Sequence, residues 1–261
     1  MKCRWRKKSG RRSCSWRCVR RVMCTLLVFS SVLSAAPFAD AASFTNGMNA
    51  YRTGEYTIAA REFSELARQR PGSGTLQNLG LAEWQSGRVG PAVLAWERSL
   101  WVDPFNATAR EDLRYARKTA GLDAPEPAWY EAASQWLPVN AWAWLAGGSL
   151  WFAVGMVMLP RVLRRRRTSG QQALAAAGVA VFLLCLPAMQ GIQTRSRIGI
   201  VLERDTPLRL TPTREGQILL VLAGGQSARC ELTHGDYVLI DTHFGRGWIK
   251  RTELGLVCPA R

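Results

Sequence analysis

The sequence predicts a multidomain membrane protein built from three parts in series: an all-α helical-repeat domain, a two-helix transmembrane hairpin and an all-β barrel. Three observations carry this reading. A repeat with a shift of 33 residues lies in the N-terminal part. Two long uncharged stretches then flank the run RVLRRRR, and beyond them the hydrophobic period changes from helical to the alternation of strands.

The charge distribution sets the frame. The formal net charge of the 261 residues is +16, a balance that ordinarily points to a polyanionic partner. Ten Lys and Arg fall within residues 1–21, and five more are Arg161, Arg164, Arg165, Arg166 and Arg167. Beyond residue 41 there are 25 basic and 18 acidic residues, and without the five arginines the excess is only +2. The basicity is local, and no nucleic-acid partner is expected.

The first basic stretch has the layout of a secretory signal peptide. MKCRWRKKSGRRSCSWRCVRR precedes the apolar run VMCTLLVFSSVLSAAPFA, and Ala39-Asp40-Ala41 supplies small residues at −3 and −1. Residues 1–41 are therefore expected to be a signal segment, with an uncleaved anchor as the alternative and Met23 or an earlier residue as a possible true start. No cysteine stands where a lipoprotein signal requires one. The chain beyond residue 41 is expected to be exported either way.

The second basic stretch marks topology. Ala132–Pro160 and Thr168–Thr194 contain no charged residue outside the arginine run, over 29 and 27 positions. A helix of about 20 residues crosses a hydrocarbon core of about 30 Å. Spans are expected at 138–160 and 171–190, joined by a basic loop at 161–170, and a short basic loop marks the cytoplasmic side. Residues 42–137 and 195–261 then share the opposite, non-cytoplasmic face of the membrane. Trp129, Tyr130, Trp136, Trp142 and Trp144 crowd the outer entrance of the first span. The segment at 122–137 is either a short interfacial helix or a linker. Gly147, Gly148 and Gly155 would permit close helix association, or are simply common span residues.

In the repeat, Gly47 aligns with Gly80, Gly54 with Gly87, Ala59 with Ala92, Phe63 with Trp96, and Pro71 with Pro104. Small residues recur where two helices touch, an aromatic fills the gap, and proline ends the second helix. Leu113 lies 34 residues beyond Leu79, within one position of a further period, so residues 107–121 are expected to form a capping helix. Residues 42–121 thus resemble tetratricopeptide helical repeats: two repeats and a cap, near the minimum for a stable stack. The resemblance implies a partner-binding groove lined by Tyr51, Arg52, Gln77, Trp84, Gln85, Glu111 and Tyr115. A Lys/Asn pattern for clamping a peptide carboxylate is not present at those positions.

After residue 195, IGIVLE, PLRL, GQILLVL, DYVLIDT and GRGWIK read as strands, in a domain of six or so. The order of features over 198–258 resembles a bacterial SH3-like barrel, with Gly247-Trp248 as its best marker and Tyr237 where a tryptophan is more usual. Tyr237 and Trp248 mark the expected ligand surface. A barrel of this size often needs a staple. Cys230 and Cys258 lie outside the signal and the spans and face an oxidising compartment. They are candidates for a disulfide, the alternative being two buried free thiols.

No catalytic set is expected. His234 and His243 flank a strand with Asp236 and Asp241 nearby, but alternation sends those two carboxylates to opposite faces. The sequence has no phosphate loop, Cys-x-x-Cys or HExxH motif. No metal or cofactor is implied, and a hydrolase using Cys230 and His234 is the enzymatic alternative.

The whole architecture, from about Ala42 to Val257, is similar to the BatE proteins of the aerotolerance (Bat) operon. NLGLAEWQSGRVGPAVLAWERSLWVDPFN and GRGWIKRTEL are where it is closest. The resemblance implies a non-catalytic scaffold of the bacterial inner membrane with both outer domains in the periplasm. It implies membrane-protein partners with von Willebrand A domains and, across the membrane, a MoxR-type AAA+ ATPase system. A peptidoglycan-binding tether or sensor that recruits cell-wall enzymes is the competing expectation.

Overall fold

The computed structural model describes residues 38–122, 127–162 and 168–258. Residues 1–37, which hold most of the expected signal segment, and Arg164, Arg165, Arg166 and Arg167 lie outside the described residues; Arg161 falls in the last turn of a helix. Contacts divide the chain after Ala42, and the packed body belongs to the unit Ser43–Arg261. Eight helices and one seven-stranded antiparallel sheet are described.

Helices α1 (Phe38–Arg52), α2 (Tyr56–Gln69), α3 (Ser73–Gln85), α4 (Val89–Val102) and α5 (Ala107–Ala120) pack as successive antiparallel pairs. Ala39-Asp40-Ala41, read as a cleavage site, is helical here. On α2 the buried residues are Ala59, Ala60, Phe63 and Leu66, one stripe at helical spacing. The two repeats agree in three dimensions. A β-carbon on Gly47 would come 2.9 Å from the Phe63 ring, and one on Gly80 would come 2.5 Å from the Trp96 ring. Gly54 and Gly87 turn each pair with φ of 83° and 79°, a region that favours glycine. Asn106 caps α5 by accepting from the Ala109 amide at 3.1 Å, and Gly121 ends the helix in the left-handed region.

A short helix, α6 (Trp129–Ser134), precedes two long apolar helices, α7 (Val139–Val162) and α8 (Ser169–Arg195). Val139–Pro160 and Ser169–Arg195 are long and apolar enough to cross a membrane. The second helix outlasts the expected end at residue 190 and runs through Pro187 to Arg195. Its extra turn has a packing reason: a β-carbon on Gly191 would collide with the Tyr130 carbonyl oxygen, so α6 lies directly on α8. The hairpin closes through Gly178, whose β-carbon would meet that of Ala153 at 3.1 Å. Gly147, Gly148 and Gly155 have nothing opposite them within 4 Å among the described residues and play no part in this contact.

The sheet orders its strands β3-β2-β6-β5-β4-β1-β7. They are β1 (Ile198–Val201), β2 (Thr206–Arg209), β3 (Ile218–Leu222), β4 (Ser227–His234), β5 (Tyr237–Thr242), β6 (Gly245–Lys250) and β7 (Leu254–Leu256). Val201, Leu208, Leu222, Ala228, Val238, Ile240, Ile249 and Leu254 meet in one buried cluster. Every strand contributes to it, so the sheet curls around its own core. Two strands were not among the runs read from the sequence. β4 buries only Ala228, which leaves no apolar alternation to detect; β7 has three residues.

The disulfide expectation is corrected: Cys230 and Cys258 are free. The Cys230 amide donates to the Arg197 carbonyl at 2.8 Å, and the Val257 amide donates to that of Ile198 at 3.0 Å. The two cysteines therefore flank the entry to β1 from opposite sides, two strand spacings or about 9–10 Å apart. A disulfide tolerates at most about 7 Å between α-carbons.

The small sheet is supported in another way. Ile200 and Val257 enter one buried cluster with Ala92, Val93, Leu94 and Trp96 of α4 and Leu113 of α5. A β-carbon on Gly90 would collide with the Leu202 carbonyl oxygen. The Arg98 guanidinium donates to the Leu256 carbonyl from Nη2 at 2.8 Å and from Nε at 3.1 Å. Stack and sheet share a core and form one body.

Candidate functional site

The seven expected groove residues divide into packing and exposed groups. Tyr51 sets its ring edge-on to Tyr56 at 5.3 Å and packs against the α1–α3 core. Gln77 accepts from Asn106 Nδ2 at 3.1 Å. It joins a polar cluster in which Ser73 and Ser99 stand 2.9 Å apart and Asn106 donates to both. Trp84 lies between Trp96 and Tyr115, with ring centroids at 6.2 and 6.1 Å. These three hold the stack together. Arg52, Gln85, Glu111 and Tyr115 are exposed, Tyr115 at 63%.

On the sheet, register assembles a second surface. Tyr237 pairs with His234 across β4–β5 and with Lys250 across β5–β6; Leu239 pairs with Leu232 and Trp248. Paired residues project from the same face, and the alternate residues Val238 and Ile240 point into the core. Tyr237 and Trp248 therefore lie together on the outer face with Leu232, Leu239 and His234. Trp248 and His234 meet edge-on at 6.3 Å, and Leu232 is 57% exposed. Sequence reading missed Leu232 and left His234 outside the sheet because β4 was not read as a strand, and it did not single out Leu239 within β5.

The groups weighed for catalysis do not converge. Cys230 and His234 sit four residues apart along β4, about 13 Å at strand rise. Burial pushes the Cys230 thiol up to about 11, which keeps it protonated near neutral pH. His243 meets the Phe244 ring edge-on at 5.7 Å. Burial also raises the Glu83 and Asp112 carboxyls, the first against the opposing pull of Arg88 at 2.7 Å and the second with help from Glu111. Among the described residues no three His, Cys, Asp or Glu side chains gather as metal ligands.

A third feature was not foreseen. A cleft of about 660 Å³ opens where the stack, α6, the end of α8 and the sheet come together. Arg110, Arg114 and Arg117 line it from one face of α5, at the i, i+4, i+7 spacing that a helix stacks on one side. Glu97 adds a carboxylate from α4, Glu131 one from α6, and Arg195 closes the end at α8. Ser227, Arg229 and Asp241 stand on the sheet side. Two ion pairs brace it: Arg117–Glu97 at 2.5 Å and Arg229–Glu131 at 2.9 Å. The second ties α6 to β4 through a Glu131 side chain only 5% exposed. The arginine spacing in AREDLRYAR was visible in the sequence, but only packing reveals that it faces a cavity.

No family model matches the chain, and no curated protein and no solved structure matches it significantly.

Proposed function

We propose that this protein is a non-catalytic membrane scaffold, anchored by the α7–α8 hairpin, that engages protein partners through a tetratricopeptide-like stack and an SH3-like sheet. The observation that carries the reading is the shared core of Trp96, Leu113, Ile200 and Val257. A common core requires the segments before and after the hairpin to lie on one side of any bilayer the hairpin crosses. The arginines between the two helices make the other side cytoplasmic, so the body is periplasmic in a bacterial inner membrane. Rigid fusion also presents the Tyr115 and Trp248 surfaces at a fixed separation to a common partner, which raises their effective concentration for it. By the Bat-type resemblance, those partners are von Willebrand A-domain membrane proteins linked to a MoxR-type ATPase.

The test is co-purification of the tagged full chain from its native membrane after crosslinking. Glu111→Ala with Tyr115→Ala, both at exposed positions, is expected to reduce partner recovery about tenfold while the circular dichroism spectrum stays unchanged. Full recovery of every partner by the double variant would sink the groove reading.

The aromatic outer face of the sheet favours one second reading, a peptidoglycan tether or sensor. Its test needs the full chain in detergent, since residues 195–261 alone would expose Ile200 and Val257. Sedimentation with isolated sacculi, lost on Trp248→Ala, is the expected result of that reading. Sedimentation no greater than that of the detergent control would remove it.

A further inference from the structure

The cleft holds an imbalance of charge that its own ion pairs do not remove. Glu97 is paired with Arg117, and Glu131 with Arg229. That leaves three arginines on the helical side. Arg110 donates to the Pro104 carbonyl. Arg114 forms no ion pair among the described residues. Arg195 donates to Ser134 Oγ at 3.2 Å, rests 5.3 Å from the Trp101 ring centroid, and feels Glu97 and Glu131, both already paired. On the sheet side, the Ser227 hydroxyl oxygen is buried without a hydrogen-bond partner among the described residues. Guanidinium groups with no carboxylate of their own, in a cleft that also carries an unpartnered buried hydroxyl, call for an acceptor-rich anion. Asp241 lies on the sheet wall with His243 and repels an anion there, so the seat lies toward α5.

The position of the cleft selects the anion. Arg195 is the last residue of the second long apolar helix, and Glu131 and Gln135 belong to the segment just before the first. Trp129 and Trp136 beside them are 71% and 73% exposed, as headgroup-level aromatics are. A phosphate at this depth is a lipid phosphate. We propose that the cleft binds the phosphate group of an anionic phospholipid, held by Arg110, Arg114 and Arg195. Arginine forks match phosphate oxygens in pairs, and a wall built on helices fixes their spacing. The lipid then acts as a tie between the body and the hairpin, seated where α5, α6 and α8 meet. This inference rests on the reading that α7 and α8 cross the bilayer.

The experiment uses the full chain in neutral detergent, offered equal amounts of phosphatidylglycerol and phosphatidylcholine and read by native mass spectrometry. The wild type is expected to retain phosphatidylglycerol. Arg110→Gln with Arg114→Gln, at exposed positions, is expected to retain about tenfold less, and Arg114→Lys an intermediate amount. Equal retention of both lipids, or undiminished retention by the double glutamine variant, overturns the proposal. Glycerol phosphate that displaces the lipid at equal concentration overturns the assignment to lipid in favour of a soluble phosphate ester. Flotation with phosphatidylcholine vesicles reports the membrane reading separately: a chain that does not float removes that reading and this proposal together, whereas one that floats but retains the two lipids equally in detergent removes only this proposal.

Discussion

Trp96→Ala is expected to destabilise the protein by about 3–5 kcal/mol, the range for deleting a large buried aromatic. Trp96 is 1% exposed and belongs to the cluster that α4 and α5 share with the sheet. Its removal empties the space between the second helix pair and leaves Gly80, with no side chain of its own, facing the void. Trp84 and Leu113 would relax only partly into that volume. The loss should therefore appear in both halves of the body, as one cooperative fall in the thermal midpoint. Trp96→Phe sharpens the prediction, because Phe63 fills the equivalent place in the first repeat against Gly47. It also discards a ring N–H that is buried without a partner among the described residues. Its cost should be less than half that of alanine. Equal costs for the two variants, read by thermal unfolding of the full chain, would show that the repeats are not equivalent.

Gly90→Val is expected to separate the stack from the sheet. A β-carbon there collides with the Leu202 carbonyl oxygen and falls 2.5 Å from that of Val201. Both obstacles are backbone, so no side-chain rotation relieves them. Overpacking of this kind costs about 1–3 kcal/mol and more where the backbone must yield. As α4 moves off β1, the Arg98 bonds to the Leu256 carbonyl are lost and Ile200 and Val257 gain water. The readout is hydrogen exchange: amides of β1 and β7 should lose protection before those of α1–α3, whose core of Ala59, Phe63 and Leu66 is separate. Unchanged protection in β1 and β7 would mean that stack and sheet are joined otherwise than through Gly90.

These two residues also mark how far the sequence could be read. Gly80 and Trp96 were legible as a pair, because a 33-residue shift carries glycine onto glycine and aromatic onto aromatic. Gly90 carried no such signal. Its partner is a carbonyl oxygen more than a hundred positions away, and backbone atoms leave no trace in composition or period. The groove residues show the same limit. Exposed Tyr115 and packed Tyr51 both fall on first helices and each meets an aromatic ring, and only the core beneath Tyr51 tells them apart. The cysteines are a third case: compartment and number favoured a disulfide, but β1 runs between them.

What the sequence by itself determined is everything set by local pattern: the repeat and its turns, two apolar helices with an arginine run between them, and most of the strands. Each arises from a period or a short spacing that the backbone reads within a few residues. Tertiary structure alone decided which surfaces are spent and which remain. It buried Ile200 and Val257 against α4, placed β4 in the sheet through its neighbours, and turned Arg110, Arg114 and Arg117 toward a cavity. Those outcomes depend on approach between segments far apart in the chain, where the deciding quantities are the space beside a glycine and the partner left for a charge.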